Sequence, residues 1–332
     1  MHKHLILGAL ICLALSAPSF AQDTRTVVDD LGRTVEIPAD PQRVVIAGNE
    51  EHAAMLTSIG YVPYGLMWGY HPEVIQTLEG IGGDVGDLST AQILGDSSNP
   101  DHETIAAADP DLIIMWNDPE AVEKMALLAP TLGYNPRQNN SGDYGDASGE
   151  RYSKQRTIAS LVGMADALNA QIIAYEAQLA DVKARHGDLI TTLEWTFIDT
   201  GDDFQPHMYD AETYPTFAYN AVMTDLGLKR ANAMAEATKV GLGFDDNFGY
   251  AQISLEVIPD YAADLIFVGR YDDKPLDGQL ETVLSATAAA KADQVIRVDS
   301  NVWTYHLVQA EIQLLRQIDE ILSEGVQNLG DF

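Results

Sequence analysis

Residues 103–116 of the chain read ETIAAADPDLIIMW, and residues 256–269 read EVIPDYAADLIFVG. In each stretch a glutamate is followed eight positions later by an aspartate and then by an apolar run typical of a buried strand. The glutamates, Glu103 and Glu256, suit the first turn of a helix, where the helix dipole favours negative charge. Asp-Leu-Ile before a buried strand is common by itself, but the equal spacing favours an internal duplication. The two stretches therefore predict two related lobes, each with a short helix that leads into a strand.

Strand and helix patterns alternate on both sides of these stretches. Arg43–Ala47, Trp195–Asp199 and Val295–Val298 are apolar-rich runs typical of buried strands. Phe217–Leu226 and Tyr305–Leu322 carry apolar residues at helical spacing. Alternating strands and helices are typical of parallel sheets that are covered by helices. The sequence therefore predicts an α/β fold with two lobes.

A long helical pattern separates the two lobes. Its apolar positions are spaced alternately by three and four residues, no proline interrupts it, and Gly187 ends it. These positions are Ile158, Leu161, Ala165, Leu168, Ile172, Tyr175, Leu179 and Val182. Dimeric coiled coils have the same narrow seam, but only about four heptads between two α/β patterns favour a rigid spine along both lobes of a monomer. We predict a first lobe over residues 22–150, one bridging helix over residues 151–187 and a second lobe over residues 188–332.

The first 21 residues have the pattern of a secretory signal peptide. Lys3 precedes an apolar run over residues 5–15, and small residues then lead to Ala21. The run is shorter than the roughly 20 residues needed to span a bilayer. We expect cleavage between Ala21 and Gln22 and export to the periplasm, without membrane insertion. The alternatives are a permanent membrane anchor and a lipid anchor on Cys12, although an isoleucine precedes that cysteine where a small residue is expected.

The composition excludes several partners. Without Lys3, the mature chain has 18 basic and 50 acidic residues and a formal charge of −32. A surface of this charge repels nucleic acid and anionic membranes, and it is typical of a salty environment. Cys12 is the single cysteine and would leave with the signal peptide. The mature chain would then have neither a disulfide nor a cysteine-ligated metal.

Four segments, taken in order, resemble segments of periplasmic iron-siderophore binding proteins. They lie within Asp30–Val45, Asn99–Ile113, Ile253–Ile266 and Val298–Tyr305. Each is a weak signal alone, but together they cover essentially the whole mature chain. These proteins belong to the helical-backbone class, which also includes cobalamin and haem binders. The resemblance implies two Rossmann-like lobes, each a mostly parallel sheet flanked by helices, bridged by one long α-helix.

The resemblance also implies a partner and a cargo. Proteins of this class deliver an iron chelate to an ABC importer in the inner membrane, and a surface glutamate on each lobe docks on arginines of the permease dimer. Glu103 and Glu256 match those positions, and two carboxylates related by duplication suit a two-fold partner. The alternative is that both merely stabilise helix starts. The implied cargo is an Fe(III)-siderophore complex, and no intrinsic cofactor is expected.

Aromatic residues in polar, glycine-rich segments are candidates for the wall of a binding cleft. Ligands of open α/β sheets bind outside the carboxyl ends of the strands. A ferric chelate is large and partly apolar, so that aromatic side chains can cover it. The candidates are Trp68, Tyr70, Trp116, Phe244, Phe248, Trp303 and Tyr305. The alternative for each is burial in the core.

Two arginines are candidates for a polar anchor. Arg270 follows the strand of the second repeat and Arg137 lies in a polar loop, where either could pair with a carboxylate or catecholate oxygen. The alternative for each is a solvated surface role. Hydroxamate binders of this class tend to have an arginine in the segment that corresponds to Gly95–Asn99, and here that segment has none. Asp245 and Asp246 would suit a neutral or cationic cargo better than a strongly anionic one.

Three other functions stay open at this point. A zinc or manganese binder is one, because six histidines remain after cleavage, but none are paired at ligand spacing. His207 or Tyr305 could still ligate iron directly. An enzyme is another, but the sequence has no Gly-x-Gly-x-x-Gly after a strand, no Gly-x-Ser-x-Gly and no phosphate loop. Haem or cobalamin binding is the third. We predict a binding protein rather than an enzyme.

Overall fold

Two α/β lobes and a helical bridge make up the chain, as the sequence predicts. The computed structural model describes residues 23–48, 50–68, 90–96, 101–138, 151–200, 206–209, 217–231, 250–261, 263–271 and 275–324. Each lobe has its own sheet, and most of the strand pairs in the two sheets are parallel. The predicted fold class is therefore confirmed.

A β-hairpin precedes the first lobe and is fixed to it. The hairpin consists of the antiparallel strands β1 (Thr24–Val28) and β2 (Thr34–Pro38). In the turn, Gly32 has a φ of 71°, a left-handed conformation that glycine adopts without strain. The buried carboxylate of Asp29 pairs with Arg33 at 2.6 Å and accepts a hydrogen bond from the Gly133 amide at 3.2 Å. The Asp-Asp-Leu-Gly-Arg turn is thus an attachment point to the lobe as well as a turn.

The first lobe is a five-stranded parallel sheet. Its elements are β3 (Val44–Ile46), α1 (Glu50–Thr57), β4 (Gly65–Trp68), β5 (Gln92–Asp96), α2 (His102–Ala107), β6 (Leu112–Met115), α3 (Pro119–Met125) and β7 (Thr131–Gly133). The strand order is β5-β4-β3-β6-β7. The chain therefore winds away from β3 in both directions, and the crevice for a ligand lies at the carboxyl end of β3.

The bridge consists of two helices, α4 (Ser153–Leu161) and α5 (Ala165–Ile190). The prediction of one continuous helix over residues 151–187 is wrong in two respects. Gly163 has a φ of 73°, and a left-handed glycine ends a helix, so that the chain breaks between α4 and α5. Gly187 does not end α5, which continues to Ile190. A glycine inside a helix costs about 1 kcal/mol, and the burial of Val182 and Ile190 on either side of it offsets that cost.

The second lobe repeats the pattern with a mixed sheet. Its elements are β8 (Glu194–Asp199), β9 (His207–Tyr209), α6 (Ala218–Leu226), β10 (Lys229–Arg230), β11 (Tyr250–Gln252), a 3₁₀-helix (Leu255–Tyr261), β12 (Leu265–Arg270), α7 (Gly278–Ser285), α8 (Ala288–Lys291), β13 (Val295–Asp299), α9 (Ser300–Trp303) and α10 (Val308–Glu324). The strand order is β11-β9-β8-β12-β13, with β10 also paired to β8. Strand β9 is antiparallel to both of its neighbours, whereas β8, β10, β12 and β13 are parallel.

The bridge packs against elements of its own chain. The apolar face of α5, which includes Leu168, Ile172 and Tyr175, is buried. It belongs to one continuous apolar core that also contains Ile46 of β3 and Phe267 of β12. Helix α5 contacts α6 and α10 along this face. A coiled-coil dimer would need the same face for a second chain, so the bridge serves as an internal spine.

One aspartate has the same structural role in both lobes, and this supports the internal duplication. Asp111 precedes β6, and its carboxylate accepts a hydrogen bond from the backbone amide of Arg43 at 2.9 Å. Asp264 precedes β12, and its carboxylate accepts one from the amide of Glu194 at 2.9 Å. In both cases the donor is the residue just before the neighbouring strand's first paired residue. The helix before β12 is a 3₁₀-helix that contains Pro259, which has no amide hydrogen to donate within it.

Candidate functional site

The carboxyl ends of three first-lobe strands bring Glu51, Trp116 and Arg137 together. Glu51 is in the first turn of α1, after β3, while Trp116 follows β6 and Arg137 follows β7. The Nε atom of Arg137 donates to both carboxylate oxygens of Glu51 at 2.9 Å. The guanidinium of Arg137 also lies 5.8 Å from the centre of the half-buried Trp116 ring. The Glu51–Arg137 pair thus stands beside an aromatic wall at the crevice.

Charge pairing keeps Glu51 ionised although it is buried. Burial raises the pKa of its carboxyl group, but the charge of Arg137 and the hydrogen bonds from Arg137 lower it by more. The net pKa of Glu51 therefore lies below its ordinary value. The side chain of Arg137 remains 39% exposed, whereas that of Glu51 is 8% exposed. The arginine is consequently the member of the pair that faces the cleft.

His52 supports this wall from inside the lobe. It is fully buried, and its Nε2–H donates to the Tyr134 carbonyl at 2.9 Å. The ring meets Trp116 edge-on, with ring centres 5.0 Å apart. Burial lowers the pKa of His52 to about 4, so the imidazole is neutral at neutral pH.

A small cavity joins the first lobe, the bridge and the second lobe. It is lined by Pro136, Arg137 and Gln138 of the first lobe, by Arg151, Lys154 and Gln155 at the start of the bridge, and by His306 and Glu311 of the second lobe. Gln155 donates to the His306 carbonyl at 2.7 Å and so ties the bridge to the second lobe. Burial lowers the pKa of His306 to about 4 as well. Both lobes therefore contribute residues to the floor of one cleft.

The bridge supplies two cations to this floor, Lys154 and Arg151. Lys154 forms an ion pair with Asp30 of the hairpin turn, and its ammonium group lies 5.2 Å from the centre of the Tyr134 ring. Asp30 also accepts a hydrogen bond from the Asn135 amide at 2.8 Å. Lys154 is 3% exposed, so its charge is balanced within the protein.

The second cation, Arg151, lies between two carboxylates. Its terminal nitrogens pair with Asp225 of α6 and with Glu311 of α10, each at 2.9 Å. Tyr152 donates to Glu311 at 2.6 Å and Tyr175 donates to Asp225 at 2.7 Å. Burial raises the pKa of Glu311 to about 7, and the nearby Asp225 carboxylate adds to this, while Arg151 and the hydrogen bond from Tyr152 offset it only in part. This Arg151 network links the bridge to two helices of the second lobe.

The carboxyl ends of the second-lobe strands carry a different polar group. The Asp199 carboxylate at the end of β8 is buried and accepts hydrogen bonds from the Ser300 hydroxyl at 2.8 Å and the Tyr271 hydroxyl at 3.1 Å. The Nε2 atom of His207, a candidate iron ligand, lies 3.6 Å from the same carboxylate. Gly269 allows this packing, since a Cβ atom there would lie 2.3 Å from the Ser300 hydroxyl.

The structure corrects one of the predicted cleft residues. Trp303 is fully buried, stacks on Phe197 with ring centres 5.7 Å apart and donates to Gln317 at 2.9 Å, so it is a core residue and not a cleft wall. Tyr305 is 5% exposed and packs in the same apolar core. Its contact with a ligand, including iron ligation, stays a prediction.

The other predicted ligand residues fall into three groups. Trp116 and Arg137 lie together in the cleft, as described above. Arg270 ends β12 at the carboxyl edge but is 4% exposed, so it is built into the lobe. Trp68 is the last residue of β4; its side chain lies outside the described part of the structure, as do Tyr70, Phe244 and Phe248.

Both predicted docking glutamates are at the protein surface. Glu103 is exposed in the first turn of α2, and Glu256 is exposed in the first turn of the 3₁₀-helix. Each of these helices joins strands that run in the same direction, β5 to β6 and β11 to β12. A crossover of this kind runs back along the sheet, which puts its first turn at the carboxyl edge. Glu103 and Glu256 are therefore on the cleft side of the molecule.

The two buried histidines predict how stability depends on pH. The pKa of each histidine is lowered from 6.5 to about 4. The stability that each contributes to the folded protein is therefore fully present above pH 6.5 and is lost as the pH falls towards 4. We expect each histidine to make the free energy of unfolding roughly 2 kcal/mol lower at pH 5 than at pH 7. His52→Gln and His306→Gln should each lower the difference between urea unfolding at pH 7 and pH 5. His102→Gln, on the exposed surface of α2, should leave that difference unchanged; an equal effect of all three would contradict the assignment.

The described residues contain neither a membrane-spanning helix nor a cluster of metal-binding side chains. Among the described residues, no helix combines the length and the apolar character needed to cross a bilayer. In the same part of the chain, no three histidine, cysteine, aspartate or glutamate side chains are grouped as a metal site requires.

The chain resembles known proteins over most of its length. The probable siderophore-binding lipoprotein YfiY of Bacillus subtilis is 25% identical over 295 residues, which are 85% of this chain and 82% of that protein. The iron(3+)-hydroxamate-binding protein YxeB of Bacillus subtilis is 28% identical over 271 residues, 79% of this chain and 72% of that one. The structure of the triscatecholate siderophore binding protein FeuA of Bacillus subtilis, complexed with ferri-bacillibactin, superposes with a TM-score of 0.65 at 19% identity and covers 91% of this chain and 99% of FeuA. A family model described as periplasmic binding protein matches residues 83–302, and the chain belongs to this family.

Proposed function

We propose that this chain captures a ferric siderophore in the cleft between its lobes and delivers it to an ABC importer of the inner membrane. The observation that carries the proposal is the cleft floor, to which the first lobe, the bridge and the second lobe all contribute side chains. The names of the relatives support an iron chelate as the cargo. Membership of the periplasmic binding protein family supports binding rather than catalysis.

We propose that residues 1–21 direct export and are removed between Ala21 and Gln22. The pattern of charge, apolar run and small residues carries this step. The mature protein then consists of a first lobe over residues 22–150, a bridge that begins at residue 151, and a second lobe over residues 188–332. The internal packing of the bridge supports a monomer in the periplasm.

The cargo proposal is tested by titration of the intrinsic tryptophan fluorescence. We expect ferric siderophores to quench it saturably at one chelate per chain, because Trp116 faces the cleft. Trp116→Phe should reduce the quenched amplitude by more than Trp195→Phe, since Trp195 is 3% exposed in the core. Quenching by haem or cobalamin alone would contradict the siderophore proposal. Stoichiometric zinc or manganese in protein purified without chelators, with no organic ligand, would support a bare-metal binder instead.

We further propose that Glu103 and Glu256 dock on the permease dimer of the importer. The helix start at Glu103 is capped by Asp101, whose carboxylate accepts a hydrogen bond from the Glu103 amide at 3.0 Å. The exposed side chain of Glu103 is thus not required for that cap. Two exposed carboxylates on the cleft side, one on each lobe, suit two equivalent basic sites on a dimer.

A further inference from the structure

We infer that the cleft selects neutral or cationic ferric chelates and rejects strongly anionic ones, with Glu51 as the residue that sets this preference. The inference rests on the proposed function. The relatives leave the chelate class undecided, because YxeB is named for hydroxamates and FeuA for triscatecholates. The charges of the cleft residues indicate which of these chelate classes fits.

The described cations of the cleft floor are already neutralised by carboxylates of the same chain. Arg137 is paired with Glu51, and Lys154 is paired with Asp30. Arg151 is paired with both Asp225 and Glu311. Each of the three cations therefore has at least one acidic partner within the chain. An anionic ligand would have to displace one of these carboxylates or bind close to it despite the like charge.

The geometry of the Glu51–Arg137 pair makes displacement unfavourable. The carboxylate accepts from the Nε atom and from a terminal nitrogen of the guanidinium, all at 2.9 Å, which is the two-pronged arrangement that a ligand carboxylate or catecholate would itself need. Glu51 is fixed in the first turn of α1 and is 6% exposed, so it cannot move into solvent without unpacking the lobe. A neutral chelate can instead lie on the Trp116 ring without disturbing the pair.

The charge of the whole chain adds to this preference. Its 50 acidic residues outnumber its 19 lysines and arginines, which gives a formal net charge of −31. Such an excess of negative charge creates a potential that attracts cations and slows the approach of anions.

Iron chelates differ in net charge, and the charged residues of the cleft can distinguish between them. Three singly charged hydroxamates balance iron(III), so an iron trishydroxamate is neutral, and one that carries an additional amine is cationic. Three doubly charged catecholates leave the complex with a net charge of minus three. Such a trianion would lie beside Glu51, while Arg137, Arg151 and Lys154 are already paired with carboxylates of the chain. Repulsion between the Glu51 carboxylate and a trianion in the same cleft opposes binding strongly.

The test compares three chelates on the wild-type protein: a neutral iron trishydroxamate, a cationic iron trishydroxamate with one amine, and an iron triscatecholate. We expect both trishydroxamates to bind at least about tenfold more tightly than the triscatecholate at low ionic strength, with a smaller difference between the charged chelates at high salt. Tighter binding of the triscatecholate would overturn the inference and leave the proposed function intact. Binding of none of the three would instead refute the proposed function.

A variant identifies the residue responsible. Glu51→Gln retains the shape of the side chain but removes its charge, so that Arg137 becomes available to an anion. We expect the ratio of the triscatecholate affinity to the neutral-chelate affinity to be about tenfold higher in this variant than in the wild type. Glu120→Gln, which removes one charge from the exposed Glu120–Lys124 pair, is the control and should change neither affinity. An unchanged ratio in a folded Glu51→Gln protein would refute the role of Glu51.

Discussion

Replacing both Glu103 and Glu256 by lysine is expected to reduce uptake of the ferric siderophore to the level of cells that lack the protein. Both carboxylates are exposed on the cleft side of the molecule, one on each lobe. The replacement turns two attractive contacts with a basic partner into two repulsive ones, and like-charge contacts oppose docking strongly. The affinity of the purified protein for its chelate should remain unchanged, because neither side chain is among those that line the cleft floor. Uptake of radioactive iron by complemented cells and fluorescence titration measure the two effects separately.

The chain offers a matched control for this experiment. Glu120 and Glu281 are also exposed glutamates in the first turn of a helix, α3 in the first lobe and α7 in the second. Replacing both by lysine changes the net charge by the same amount. We expect this control to retain uptake. If the control abolishes uptake equally, the effect comes from total charge; if chelate affinity falls in the Glu103 and Glu256 variant, these residues serve the cleft or the fold.

The regular part of the fold could be predicted from the sequence because its signals are local. The helix over His102–Ala107 has the bounds expected from its aspartate cap, and the apolar runs before Trp116 and Arg270 form the buried strands β6 and β12. The equal spacing from glutamate to aspartate also has a physical basis. Asp111 and Asp264 both hold the start of the neighbouring strand, which fixes their position relative to β6 and β12.

The break in the bridge could not be read from the apolar spacing alone. The spacing of three and four residues continues through Gly163, so the pattern predicts a continuous helix. The left-handed φ at Gly163 is set by the packing of α4 and α5 on different partners. In contrast, Gly187 looks like a helix end but is held within α5 by its buried neighbours. At Gly187, tertiary packing outweighs the preference of a single residue.

The candidate site was predicted in part, and the residues that were missed depend on distant partners. Trp116 was expected in the cleft because it follows a strand, and Arg137 because it lies in a polar loop. Glu51 was not, although its position in the first helical turn after β3 is a signal that could have found it. Its pairing with Arg137 spans 86 residues, and no local pattern encodes it. The same limit explains Trp303, whose hydrogen bond to Gln317 and cover by α10 depend on the folded second lobe.

Replacing Arg151 by methionine is expected to destabilise the protein by about 3 kcal/mol or more. The substitution leaves Glu311, which is 1% exposed, and Asp225 without their shared cation. Removing one partner of a buried ion pair costs more than the pair contributes, because the remaining charge stays in a poorly solvated site. Urea unfolding monitored by circular dichroism at pH 8 measures the loss. Lys124→Met, which breaks the exposed pair with Glu120, should leave the stability nearly unchanged.

The pH dependence of this loss distinguishes charge from packing. Glu311 has a pKa raised from 4.5 to about 7, so its neutral form is favoured in the folded protein and the associated stability is lost as the pH rises through 7. In Arg151→Met the carboxylate has lost its cation, so the destabilisation should be large at pH 8 and clearly smaller at pH 5, where Glu311 is protonated. Adding Glu311→Gln should restore part of the stability at pH 8, because the amide still accepts the hydrogen bond from Tyr152 without a buried charge. An equal loss at both pH values would show instead that the packing of the guanidinium against Tyr152 and Tyr175 accounts for the effect.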